Sequence, residues 1–268
     1  MIIFGSRAYF RTKRVTQHGF CENCNGFAKL RSYTAMNFVH VYFIPVIPIS
    51  GRKRNHKMCP KCNTGRELTP DGLEQLLLGL KERSADALVA IQSGDETFGE
   101  IHLQTEQADN CVDFLRGAFD YLYAGGEREF CENIVSSLSG PDAAYPREML
   151  GASLATMDGK IDAAIDRYES AATADSSQHA PHAQRGHLLV VRKRREEAIE
   201  AYRRALAITT EPGDQVGLHL QIADEQMTLK IFDQAAESYE AAIAIVPDLA
   251  SDKAVAKSLK KAKKKSGR

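Results

Sequence analysis

The 268-residue sequence predicts a mainly α-helical protein with a small β unit at its N-terminus. Three observations carry this. Two Cys-x-x-Cys pairs fall within the first 62 residues, a stretch rich in β-branched and aromatic residues separates them, and beyond residue 145 a small–aromatic–small pattern returns about every 34 residues. Hydrophobic side chains make up 43% of the chain, ordinary for a folded protein, which excludes disordered and collagen-like classes. The longest uncharged apolar run, Phe38 to Ile49, contains His40, Pro45 and Pro48 and is too short to span a bilayer. Residues Met1 to Phe10 hold no apolar core of a secretory leader, so a cytoplasmic location is expected.

Residues 1–67 form the first expected unit. Cys21-Glu-Asn-Cys24 and Cys59-Pro-Lys-Cys62 are separated by 34 residues. Two residues between thiols let both sulfurs face one side of a tight turn. Two such turns brought together give four thiolates in a tetrahedron, the closed geometry of structural Zn²⁺. Asn25-Gly26 and Asn63-Thr64-Gly65 supply residues that tolerate positive φ where the backbone curls round the ion. Disulfides need an oxidising compartment, for which there is no signal, and a single redox-active pair leaves the second unexplained. Iron remains an alternative, since ligand type alone does not separate it from zinc. One Zn²⁺ on Cys21, Cys24, Cys59 and Cys62 is expected. Such a closed site argues against catalysis at the metal.

Between the pairs, Lys29 to Ile44 reads as two short strands ending at Pro45-Val-Ile-Pro48, where missing N–H groups interrupt a ladder. The unit's aromatics are expected to fill its small core. Met1-Ile-Ile-Phe-Gly5, the first Cys-x-x-Cys, Tyr42-Phe-Ile-Pro-Val-Ile-Pro-Ile49 and the Cys59-Pro-x-Cys62 pair together resemble a family of small bacterial zinc-ribbon proteins, over about residues 1–80. The resemblance implies a zinc ribbon with those four cysteines as ligands. It implies no particular activity.

Residues 68–144 are expected to form a helical connector. Thr69 can cap a helix, Pro70 suits its first position, and Leu73, Leu76, Leu77 and Leu80 make one apolar stripe. Ser93-Gly-Asp95 reads as a loop. A second periodic stretch holds Cys111, Leu115, Ala118, Phe119 and Leu122 and ends at Gly125-Gly126. Gly126 to Leu138 can be a degenerate repeat with Cys131 in a small-residue slot. Cys111 and Cys131 are therefore read as packed core thiols.

Residues 145–250 repeat three times. Ala164, Tyr168 and Ala171 match Ala198, Tyr202 and Ala205 at a spacing of 34, and Ala235, Tyr239 and Ala242 at a further 37, the insertion falling in the turn Thr209 to Asp214. The alanines let antiparallel helices approach, and the tyrosine fills the gap to the next helix. This pattern resembles the tetratricopeptide repeat (TPR), a helix–turn–helix solenoid. Gly186 fits that family's first-helix glycine and Pro247 its closing proline, whereas Gly151-Ala152 departs from it. The resemblance implies a peptide-binding face, which in this alignment would display Gln184, His187, Val190, Gln221, Asp224 and Met227. The lysines and asparagines with which some family members hold a terminal carboxylate are missing there. Residues 251–268 read as a capping helix up to Leu259 and a frayed basic tail from Lys260.

Charge is unevenly spread. Residues 1–66 carry 12 bases and one acid, and residues 251–268 eight bases and one acid, so the middle carries −18. The basic ends can lie against that middle, or the ribbon can bind nucleic acid through Arg11, Lys13, Arg14, Arg52, Lys53 and Arg54, with aromatics for stacking. No serine elbow, phosphate loop or His-Glu-x-x-His pattern is present, so catalysis is not expected. The reading is a non-enzymatic adaptor that binds a protein or peptide partner.

Overall fold

In the computed structural model the described residues are 4–21, 23–24, 26–41, 44–48, 50–94, 101–103, 106–108 and 110–267. Contacts divide the chain into two compact units, residues 1–160 and 161–268. The division falls between the two helices of the first repeat copy.

The first unit opens on a β-sheet. Strand β1 (Phe4–Cys21) and β2 (Gly26–Val41) form a long antiparallel hairpin in register from Phe4↔Val41 to Cys21↔Gly26. Strands β3 (Ile44–Pro48) and β4 (Lys53–Met58) pair with β2 on its other side, and β5 (Arg66–Leu68) pairs with β4, giving the order β1-β2-β4-β5. The two short strands expected between the cysteine pairs are thus mostly one 16-residue strand. Pro45 and Pro48 lie inside β3 rather than ending a ladder. This strand pairs on one side only, so its missing N–H groups can face away from the ladder. Tyr42, Phe43 and Ile49 of the ribbon motif, with Met1 to Ile3, lie outside the described residues.

Strand β1 carries two bulges, between Tyr9 and Thr12 and between Thr12 and Val15. Each inserts one residue opposite β2 and sets a non-glycine residue at positive φ, Phe10 at 55° and Lys13 at 45°. Among the described side chains, the aromatics do not form the sheet's core. Tyr9, Phe27, Tyr33 and Phe38 are half-buried, Phe10 and Phe20 are exposed, and the small core near the cysteines is Cys21, Ala28, Leu30 and Cys59.

Helix α1 (Pro70–Ser93) begins as expected: the Thr69 hydroxyl accepts from the Gly72 N–H at 3.1 Å, and Pro70 needs no acceptor in the first turn. Gly94, at φ 71°, closes it; Asp95 of the expected loop lies outside the described residues. Two short strands, β6 (Ile101–Leu103) and β7 (Glu106–Ala108), pair with each other. Helix α2 (Cys111–Gly125) is capped by Asn110 and ended by Gly126 at φ 103°. Helices α3 (Arg128–Ser137) and α4 (Ala144–Met157) follow. Leu80, Phe114, Leu115, Phe119, Leu122 and Leu150 are wholly buried together, and Cys111 and Cys131 lie in the same cluster. Burial pushes the Cys131 thiol up to about 12, so it is an inert packing group.

Helix α2 also packs on the sheet. His56 stacks on Tyr121 with ring centroids 5.3 Å apart, Arg66 donates to the Tyr121 hydroxyl at 2.6 Å, and Lys57 and Gln17 both meet Asp120.

The second unit is a run of antiparallel helices: α5 (Ile161–Ala174), α6 (Ala180–Val191), α7 (Arg195–Ile208), α8 (Pro212–Leu229), α9 (Phe232–Ile245) and, after a 3₁₀ turn at Pro247–Ser251, α10 (Lys253–Ser266). The repeat residues behave as their pattern requires. Ala164, Ala171, Ala198, Ala205, Ala235 and Ala242 are fully buried, and Tyr168, Tyr202 and Tyr239 nearly so. Gly186 is fixed by close approach, because a Cβ there would stand 2.4 Å from the Tyr202 ring.

Two expectations fail here. The residues inserted in the third copy do not enlarge a turn. Pro212-Gly-Asp214 is the first turn of an 18-residue α8, since Pro212 suits that position. Nor does the basic tail fray from Lys260. The Asp252 carboxylate caps α10 by accepting from Ala254 and Val255, Ala262 is buried beside Ala235 and Ala236, and Lys263 pairs with Glu240 at 2.7 Å. Arg268 lies outside the described residues. The chain is therefore mainly α, a small β unit followed by a helical solenoid of tetratricopeptide type.

Candidate metal centre

The sheet's register explains how distant cysteines meet. Cys21 ends β1 opposite Gly26 at the start of β2, so the first pair forms the turn of the β1–β2 hairpin. The second pair lies in the turn between β4 and β5. Because β4 runs antiparallel to β2, with Met58 opposite Arg31, both turns fall at the same end of the sheet.

All four Sγ atoms lie within 4.8 Å of one another. Cys21 and Cys62 are 3.5 Å apart and Cys24 and Cys59 3.8 Å, and none of the six cysteines is in a disulfide. An ion bound at about 2.3 Å from four tetrahedral sulfurs sets them about 3.8 Å apart, so the sulfur cage fits a metal of that kind. Cys21 and Cys59 are buried, Cys62 half-buried and Cys24 exposed.

The second turn is built tightly. The Cys59 N–H donates to the Thr64 carbonyl at 2.8 Å, and the Asn63 N–H to the Cys59 carbonyl at 2.9 Å. Asn63 adopts φ 56°, as expected for this turn. Gly65 and Gly26 do not take positive φ, and Asn25 lies outside the described residues. Gly65 is needed for space instead: a Cβ there would meet Met58 Sδ at 2.5 Å and the His56 carbonyl at 2.7 Å.

Local hydrogen bonds divide the thiols electrostatically. The Thr64 hydroxyl, 2.9 Å from Cys62 Sγ, and the Thr64 N–H draw that thiol down to about 6. Cys24, hydrogen-bonded to Cys21, is pushed up to about 11. Four adjacent thiols cannot all ionise unaided; a bound cation makes that possible, and it leaves the cage with each thiol's proton released.

The residues expected at the helical face are partly engaged within their own unit. Gln184, Val190 and Gln221 are half-buried on α6 and α8. His187 tilts against the Tyr202 ring at 5.4 Å, Asp224 accepts from the Tyr239 hydroxyl, and Met227 packs on the Ala235–Ala236–Ala262 cluster. The basic residues are likewise dispersed in role. Arg11 stacks over Tyr33 at 4.6 Å, Lys53 pairs with Glu67 at 2.9 Å, Arg54 is buried, and Lys13, Arg14 and Arg52 are exposed or partly so. No helix among the described residues is long and apolar enough to cross a membrane.

No protein-family model matches the chain, and no curated protein matches it. Solved structures do. BtubC from P. vanneervenii is similar over 73% of this chain and 84% of its own, with a TM-score of 0.52 at 13% identity. A thermophilic TPR protein from Thermus thermophilus covers 71% of this chain with 99% of its own, at a TM-score of 0.41 and 16% identity. The pilF protein of Pseudomonas aeruginosa covers 73% with 71% of its own, at 0.40 and 17%. The BtubC likeness is one of fold alone.

Proposed function

We propose that this chain is a non-enzymatic adaptor. Its β unit is held by one structural Zn²⁺ on Cys21, Cys24, Cys59 and Cys62, and its helical array presents a face to a protein or peptide partner. On this reading residues 1–67 are the ribbon, 68–144 the connector, 145–250 the three repeats and 251–268 the cap, and the protein acts in the cytoplasm. The four-sulfur cage supports it most directly. Four protein donors fill a tetrahedral ion, so the metal cross-links two hairpins and keeps no position for a substrate. Repeated helix pairs with buried alanines and tyrosines build a surface whose usual use is binding an extended segment.

The test is purification of the tagged chain from its own cells, with and without nuclease, beside the double variant Gln184→Lys, Gln221→Lys. A protein that survives nuclease and is lost from the variant is the expected result. Partners that vanish with nuclease and ignore the variant would overturn the adaptor reading in favour of the basic sheet.

A further inference from the structure

Arg54 is only 1% exposed, yet no carboxylate pairs with it among the described residues. Its guanidinium donates to two backbone carbonyls, Lys13 at 2.5 Å and Ala124 at 2.6 Å, and its Nε is buried without a partner. A guanidinium stays charged in a protein, and a buried charge normally has a counter-charge, because two neutral carbonyls do not offset the loss of water. The residue lines a cleft of about 580 Å³ within the first unit, a volume in the usual range for small-molecule sites.

The cleft's walls are chemically distinct. Thr12, Thr34 and Arg54 are register partners across β1, β2 and β4, and all three line the cleft. The bulges of β1 bring Lys13 to the same cleft, and Arg52 precedes β4 there. Lys81 is paired with Glu127 at 2.7 Å, so Lys13, Arg52 and Arg54 stand against Glu74 alone, an excess of two positive charges. Leu73, Leu77 and Leu78 of α1 supply an apolar wall.

We propose that this cleft binds a small dianionic oxyanion carried on an organic molecule, with the exposed Lys13 and Arg52 making the contacts and the buried charge of Arg54 beneath its floor. Phosphate monoesters and dicarboxylates share that chemistry. The exposed guanidinium of Arg52 matches either oxyanion, Arg54 adds its uncompensated charge from behind, and the leucines would cover the organic part. A nucleic-acid strand fits less well, because Glu74 and Glu127 lie on the wall and the cations line a cleft rather than an open strip.

The experiment is calorimetric titration of the metal-loaded full chain, in chloride buffer, with inorganic phosphate and separately with succinate. Saturable binding of at least one dianion is expected, about tenfold weaker in Arg52→Gln, lost in the double variant Lys13→Gln, Arg52→Gln, and weakened in Arg54→Met. Phosphate preferred over succinate marks a phosphate monoester as the source, and the reverse a dicarboxylate. If Arg54→Met does not fold, Lys13→Gln replaces it, since the Lys13 side chain lies outside the buried core. The proposal fails if neither dianion saturates, if binding is the same in every variant, or if a single-stranded oligonucleotide binds where the small dianions do not.

Discussion

At the scale of single residues, His56 shows how a polar side chain can be held at a cost. It is fully buried, neither ring nitrogen has a hydrogen-bond partner among the described residues, and burial together with neighbouring Lys57 lowers its pKa from 6.5 to about 4. Folding keeps the ring neutral, so between those values the unfolded chain binds the extra proton. Stability is therefore complete above about 6.5 and is lost as pH falls toward 4, by about 3 kcal/mol for a shift of this size. His56→Phe keeps the stacking on Tyr121 and removes the titration. Its unfolding free energy should change less between pH 7 and 4 than that of the wild type, measured by denaturant titration; equal slopes would show that His56 does not carry this dependence. None of this is legible in the sequence, where His56 sits among Arg54, Asn55 and Lys57 and nothing marks it as buried. The burial of Arg54 is equally hidden, because a basic run gives no sign of which member the sheet turns inward.

At the scale of elements, legibility depends on whether the periodicity survives. The repeats are readable because alanine, tyrosine and alanine each occupy one required position, and the structure buries them all. Strand β1 is not readable: two bulges shift its alternation twice within seven residues, and its solvent face is basic. The same repeats also differ in detail. The Tyr239 hydroxyl donates to Asp224, whereas the Tyr202 hydroxyl is buried with no partner among the described residues. Tyr239→Phe should cost about 1 kcal/mol, while Tyr202→Phe should be neutral or stabilising, because it removes a desolvated group and keeps the ring. Thermal unfolding of the two variants side by side checks this, and an equal loss in both would mean that Tyr202 finds a partner in solution.

At the scale of the whole molecule, the sheet near the cysteines and the helices have separate cores. The sheet's small core is built around the sulfur cage, whereas the helical clusters contain no metal-ligating group from it. Chelation of the metal should therefore alter the tyrosine near-ultraviolet signal and expose the four thiols to a thiol reagent, while the far-ultraviolet helical signal is largely retained. Loss of helix in step with the sheet would show that one cooperative transition governs both sheet and helices. Cysteine spacing makes this separation visible in the sequence. The division between Lys160 and Ile161 is not visible there, because the repeat pattern runs across it.

The two-hairpin construction of the cage has a consequence for biosynthesis. Cys21 and Cys24 flank a turn that is complete as soon as β2 begins, and Cys24 precedes Cys59 by 35 residues. During translation the first thiol pair is therefore exposed before the second exists, and an ion taken up by it is enclosed only when β4 and β5 arrive. For the proposed ion, the order of synthesis would make the first hairpin the point of entry and the second its closure.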